Sequence, residues 1–170
     1  MNFYILFKKR IANISKFLIW VLVLLFLQTE FIVAKYVKVV DGDSLEIDGR
    51  RVRLIDIDAP EYKQYCFDAN GEKYYCGKIS RKYLEDILKK ANYDVYCDVQ
   101  GIDTYKRELA ECFVEGKNIN LLMIRAGWAV AYRAEKKEYW DAEKKARKQK
   151  KGVWQGKFLR PEYFRRLNKR

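Results

Sequence analysis

The chain has no histidine among its 170 residues, only two prolines and only four cysteines. The first absence restricts most. Without imidazole there is no Ser-His-Asp triad, no Cys-His pair and no HExxH zinc helix. Acid–base chemistry near neutral pH falls to Asp, Glu, Lys, Tyr or a metal-bound water. The cysteines lack C-x-x-C spacing, so a zinc site has no support either. Internal repeats and low-complexity segments are also missing. With 49% hydrophobic and 34% charged residues, the composition suits a folded core rather than disorder.

What is present is basic charge. Lys and Arg number 35 against 23 Asp and Glu, a net charge of +12. Such an excess suits nucleic acid, an anionic membrane surface or a merely solvated basic face, and charge alone does not choose among them.

Residues 1–16 carry Lys8, Lys9, Arg10 and Lys16 and no acid, and an apolar run of 11 residues, Phe17 to Leu27, follows. That run is shorter than the roughly 20 residues a membrane-spanning helix needs and fits a signal peptide. The expectation is cleavage after Ala34. The alternative is an uncleaved anchor over residues 17–33, and membrane contact is expected only in that case. Residues 1–34 hold four basic residues and one acidic, so residues 35–170 keep a charge of +9. A secreted or periplasmic location is expected, or a membrane-anchored one facing out of the cytoplasm. Residues 35–170 form one domain, and nothing calls for more than a monomer.

Cys66, Cys76, Cys97 and Cys112 all follow the leader and fit an exported, oxidising setting. Four thiols allow three pairings. Cys66–Cys76 and Cys97–Cys112 are the most natural, since the second could bridge adjacent strands; four unpaired buried cysteines are the alternative.

Short alternating runs at 35–40, 44–47 and 51–57 predict a three-stranded meander with Asp48-Gly49 as a hairpin turn. Residues 61–76 read as a loop. A helix is expected over about 78–90, with Ile79, Tyr83, Leu84, Ile87 and Leu88 as its apolar stripe. Strands are expected at 93–99 and 107–114, a short helix capped by Asn118, and a Lys/Glu-rich helix over about 135–150. Pro161 and a basic tail close the chain. Trp128, Trp140 and Trp154 are expected in the core. This element count suggests the α+β class: a five-stranded OB-type Greek-key β-barrel with an inserted helix and C-terminal helices.

Phosphodiester hydrolysis needs phosphoryl charge neutralised, a water activated and a leaving oxygen stabilised. Carboxylates holding a hard divalent cation, with arginines forking onto phosphate, meet much of this. Asp41-Gly42-Asp43-Ser44 and Arg53-Leu-Ile-Asp-Ile-Asp-Ala-Pro-Glu61 offer both groups. Strand parity sets Arg53 and Asp58 on opposite faces, so a twist or bulge is needed to bring them together. By spacing alone these segments could equally be a surface turn and a strand end.

Val39-Val-Asp-Gly-Asp-Ser44, Arg53 to Glu61 and Asp103-Thr-Tyr-Lys-Arg107, in that order and at those intervals, resemble the staphylococcal nuclease (thermonuclease-like) family, over about residues 36–160. The closing segment Gly152 to Pro161 and the cysteines resemble its exported bacterial branch. The resemblance implies an OB-type barrel, a Ca²⁺ ion, and cleavage of DNA and RNA. Position by position, it implies that Asp43 and Asp58 bind calcium, joined by the backbone carbonyl of Ala59, where the family often has Thr. Asp41 stands behind them, Glu61 positions or deprotonates the attacking water, and Arg53 and Arg107 clamp the phosphate. Tyr105 and Tyr132 match positions lining the nucleotide site. Lys106 departs from the usual Gly and Ser44 from the usual Thr. The alternative is a non-catalytic nucleic-acid-binding module on the same barrel, possibly anchored to a membrane.

Overall fold

The structure, a computed structural model, describes residues 36–168. The leader and its cleavage lie outside the described residues. Among those described, no helix is long and apolar enough to cross a membrane.

Strands β1 (Val37–Asp41), β2 (Ser44–Ile47) and β3 (Arg50–Leu54) form the expected antiparallel meander. Period-two alternation turns Val39, Leu45, Ile47, Val52 and Leu54 into the core. Asp48 and Gly49 both take positive φ, as the tight hairpin turn requires. The chain then runs through β4 (Ile57–Asp58), a short hairpin of β5 (Cys66–Phe67) and β6 (Lys73–Tyr74), and helix α1 (Cys76–Lys90). It returns as β7 (Tyr96–Ile102) and β8 (Glu108–Val114), with β8 parallel to β3 and antiparallel to β7. Strand β9 (Lys117–Asn118) folds back on β8, and β10 (Val130–Ala131) pairs with β4. Helices α2 (Ile119–Arg125), α3 (Lys137–Lys148) and α4 (Pro161–Leu167) complete the domain. Asn118 caps α2 as expected, its Oδ1 accepting from the Leu121 N–H at 3.0 Å.

The five expected strands form, in the order β1-β2-β3-β8-β7, but the sheet does not close into a barrel. Closure would need β1 to pair with β7. Instead the Val39 carbonyl accepts from the Arg81 guanidinium of α1 at 3.1 Å, and irregularities at Val40 and Gln100 break the ladders of both edge strands. The architecture is α+β with an open, OB-like sheet.

Other expectations need correction. Strand β3 stops at Leu54, because Asp56 takes φ 64° and turns the chain. The supposed loop 61–76 contains the β5–β6 hairpin, stapled by Cys66–Cys76. In α1, Ile79 faces solvent, and Ser80 is buried, its hydroxyl donating to the Trp128 carbonyl at 2.7 Å. Trp140 is exposed rather than in the core, its indole N–H donating to the Ala134 carbonyl; Trp128 and Trp154 are partly buried as expected. Both of the expected disulfides form, Cys97–Cys112 joining directly opposite residues of β7 and β8. Each closes a loop of 10 or 15 residues, which is worth about 3 kcal/mol on the chain-entropy account.

Asn120 locks α2 to the turn that carries the acidic residues. Fully buried, its Oδ1 accepts from the Cys112 N–H, and its Nδ2 donates to the carbonyls of Ile55 and Ala110. Removing it leaves the Cys112 N–H and the Ile55 carbonyl without this partner, while the Ala110 carbonyl keeps the Ile55 N–H at 3.0 Å. Asn120→Ala is expected to cost about 3 kcal/mol, read from urea denaturation. A loss below about 1 kcal/mol would mean that the turn is held by other contacts.

Candidate functional site: an arginine-bridged carboxylate cluster

The β1–β2 turn delivers Asp43, 2% exposed, and the turn after β3 delivers Asp58, 1% exposed. Arg53 at the end of β3 joins them. Its Nη1 donates to Asp43 Oδ1 at 2.8 Å and its Nη2 to Asp58 Oδ1 at 2.9 Å. Strand parity alone forbids this meeting; the left-handed turn at Asp56 permits it. Asp43 is further fixed by the Ser44 hydroxyl at 3.0 Å and by the Ala59 N–H, which donates to Oδ2 at 2.8 Å. Ser44 thus supplies the hydroxyl expected of it.

Gly42 sits where any Cβ would strike Ser80 and Ala59, so this turn needs glycine to pack against α1. Gly77, at the start of α1, is constrained in the same way, since a Cβ there would strike the Glu61 carbonyl. Glu61 is also held through its backbone by Gln64, which is fully buried. Glu61 N–H donates to Gln64 Oε1 at 3.3 Å, Gln64 N–H donates to the Glu61 carbonyl at 2.7 Å, and Gln64 Nε2 donates to the Leu159 carbonyl at 2.7 Å.

An open cavity of about 880 Å³ collects most of the expected residues. Its wall includes Asp41, Asp43, Arg53, Ala59, Glu61, Tyr105, Arg107 and Tyr132. Asp58 does not line it, because two arginines cover it: Arg53 and, from α4, Arg165. Arg165 Nη1 donates to Asp58 Oδ1 and to Glu61 Oε1, each at 2.8 Å, and its Nη2 to Asp58 Oδ2 at 3.0 Å.

Arg107 is in the cavity but not in the cluster. Asp103 holds it: Arg107 Nε donates to Asp103 Oδ2 at 2.8 Å, and the N–H groups of Tyr105 and Arg107 donate to Oδ1. Burial pushes Asp103 up, but these bonds outweigh it and hold the carboxyl below its usual range. Lys106 takes φ 61°, the left-handed conformation that suits the glycine usual there. Arg107 lies 5.5 Å from the centre of the exposed Tyr105 ring, and Arg133 lies 5.0 Å from that of Tyr132.

The electrostatics follow from burial. Burial raises Asp43, with Arg53 and the Ala59 N–H opposing it. Burial lowers Arg53, but the charges of Asp43 and Asp58 outweigh it and hold the guanidinium above its usual value. Asp41 is pushed up to about 6, first by burial and then by the charges of Asp43 and Glu61. Its Oδ1 is buried with no hydrogen-bond partner. An orphaned carboxylate oxygen beside other carboxylates marks a cluster short of positive charge, and the donors are hard oxygens. These residues fit a divalent cation of the calcium or magnesium kind. Asp43, Asp58 and the Ala59 carbonyl would hold it, with Asp41 behind them. As the side chains stand, no three acidic groups among the described residues converge on an ion; Arg53 and Arg165 stand between them.

Sequence reasoning missed Arg165, Gln64 and Asp103. Pro161 at the start of α4 was a usable helix signal, but nothing local pointed Arg165 at residues more than 100 positions away.

Fold and site together define an OB-like domain that gathers carboxylates and arginines around one open cavity. The chain belongs to the staphylococcal nuclease homologue family, whose description it matches over residues 51–156. It is 39% identical over 118 residues to the succinoglycan biosynthesis protein ExoI of Rhizobium meliloti, covering 68% of this chain and 61% of that protein, so the match spans less than two thirds of that relative. It is 34% identical to an uncharacterized endonuclease of Haemophilus influenzae, covering 79% and 74% of the two chains. It is 30% identical to the micrococcal nuclease of Shigella flexneri, covering 69% and 71%.

Asp103→Ala is expected to release the 103–107 loop. Amide exchange at Tyr105 and Arg107 should quicken about tenfold, while exchange in β1–β3 stays unchanged. Unchanged exchange at 105 and 107 would show that Asp103 does not hold Arg107.

Proposed function

We propose that the protein is an exported, calcium-dependent nuclease that hydrolyses phosphodiester bonds of DNA and RNA. The observation that carries this reading is the Arg53 bridge between buried Asp43 and Asp58, in one cavity with Glu61 and Arg107. Relatives named as nucleases support it, as does the +12 charge. The leader and the two disulfides support export.

Calcium bound at Asp43, Asp58 and the Ala59 carbonyl would neutralise phosphate charge and acidify a nearby water. Everything else falls to the chain's own groups. Arg53 has five N–H donors and uses two on Asp43 and Asp58, which leaves three for phosphate oxygens. Arg107 is preset by Asp103 and faces the same cavity. Together they stabilise the charge that grows on the phosphoryl oxygens as water attacks, a contribution that is often the largest in such reactions. Glu61 orients the water and takes its proton as the P–O bond to the leaving oxygen breaks. Tyr105 offers a ring for a base to stack on. Next to Glu61, Lys78 lies 5.8 Å from the centre of the Tyr62 ring and 4.7 Å from that of Tyr75, giving a strand leaving the cavity a further aromatic and basic surface.

In the full-length protein with single-stranded DNA, Glu61→Gln is expected to lower turnover by about 10²–10⁴-fold. Arg107→Ala should lower it by about 10²–10³-fold. Both should leave the unfolding midpoint within a few degrees of wild type, and a chelator should abolish cutting. Near-normal rates in both variants would sink the assignment. Salt-sensitive binding with no cutting in any metal would point to the non-catalytic module instead.

Tyr105→Ala is expected to weaken binding of a short single-stranded oligonucleotide about fivefold or more, by fluorescence anisotropy. An unchanged dissociation constant would remove Tyr105 from the substrate surface.

A further inference from the structure

The Arg165 fork does more than stitch the chain's end to its middle. Asp58 Oδ1 already accepts from Arg53, so with Arg165 bound both Asp58 oxygens are taken by guanidinium donors, as is one oxygen of Glu61. Helix α4 has little else to hold it. Pro161 is its one buried residue and Phe164 is half-buried, while Tyr163 and Leu167 are exposed. The segment before it is anchored independently: Gln64 binds the Leu159 carbonyl, and Arg160 donates to the Ala131 carbonyl at 2.9 Å and pairs with Glu143. The chain is therefore tied down up to residue 160, and beyond that it is tied to the site chiefly by Arg165.

We infer that Arg165 is a built-in competitor of the divalent cation, a residue that sets the affinity of the site by occupying Asp58 and Glu61 until a cation displaces it. The inference rests on the reading of Asp43 and Asp58 as cation ligands. Both Arg165 and the ion claim the oxygens of Asp58, so docking of α4 and binding of the ion oppose each other. The apparent affinity for the ion is then reduced by the fraction of molecules with α4 docked. Linkage makes the effect reciprocal: the ion must loosen α4 by the same factor by which Arg165 weakens the ion. Glu61 is freed in the same event, so the proton acceptor becomes available only when the cation site does.

The test is calcium titration of the full-length protein by calorimetry, without substrate, for wild type, Arg165→Ala and Arg166→Ala. Arg166 is the control, since it carries the same charge on the same helix but pairs with Glu162 at 3.0 Å. The expected result is roughly tenfold tighter binding in Arg165→Ala, within the 5–150-fold span of such couplings, and wild-type affinity in Arg166→Ala. In wild type, calcium should speed amide exchange in residues 162–168 while slowing it around Asp43. Equal or weaker binding in Arg165→Ala, or an α4 that calcium leaves unchanged or protects, overturns the inference while the calcium reading stands. Binding in none of the three proteins overturns both.

Discussion

Two carboxylates buried almost completely, Asp43 and Asp58, share one positive charge set between them, Arg53. Taking such ions out of water costs several kcal/mol each, and pairing offsets it only with good geometry and filled hydrogen-bond positions. The surrounding structure supplies both. The Ala59 N–H and the Ser44 hydroxyl complete Asp43. Gly42 lets the turn lie against α1, and the left-handed Asp56 brings Asp58 within reach. Hydrophobic residues of the same size at these three positions could pack as well or better. A buried ion group of this kind is therefore weak evidence of a stabilising role.

The same balance explains the cavity's charge pattern. Arg107 is matched by Asp103, and Glu111, buried in the core, is matched by Lys136 and the Tyr139 hydroxyl. The cluster around Asp43 is not matched so closely. Asp41 keeps a buried oxygen without a partner. The imbalance is local, since other buried carboxylates such as Glu143 have their partners. Among the described residues two buried side-chain polar atoms lack a partner, Asp41 Oδ1 and Trp154 Nε1, and the first lies beside the acidic cluster, where hard oxygen donors fit a divalent cation.

Much of this was legible in the residues. Alternation at Val39, Leu45, Ile47, Val52 and Leu54 specifies the meander, Asp48-Gly49 its hairpin and Asn118 its helix cap, because each is a local preference. Three motifs in register single out Asp43, Arg53, Glu61 and Arg107, which the structure brings to one cavity, and Asp58, which it places behind Arg53 and Arg165. What was not legible depends on distant partners or on backbone choices. Parity argued against an Arg53–Asp58 contact, and only the φ of Asp56 reverses it. That the sheet stays open, with the Val39 carbonyl bound by Arg81 of α1, is a tertiary outcome that no local pattern gives. Trp140 reads as core by type, yet it lies on the exposed side of a helix whose buried side carries Tyr139, Ala142 and Ala146. Arg165 sits in a basic tail that resembles any solvated run of charge, and its role appears only once α4 is folded back.

The lack of histidine sharpens the importance of that last contact. A histidine base could be switched by pH in the neutral range. Under the proposed function a chain without one relies on Glu61, which Arg165 contacts directly. Control of that base is then steric and electrostatic. Arg165 supplies both kinds, covering Glu61 and Asp58 with one planar group whose fork matches carboxylates. A lysine there would offer a point charge without the fork and would hold a single oxygen less firmly. Among the described residues, then, the same fork that would let Arg53 and Arg107 clamp a phosphate lets Arg165 occupy the carboxylates of Asp58 and Glu61.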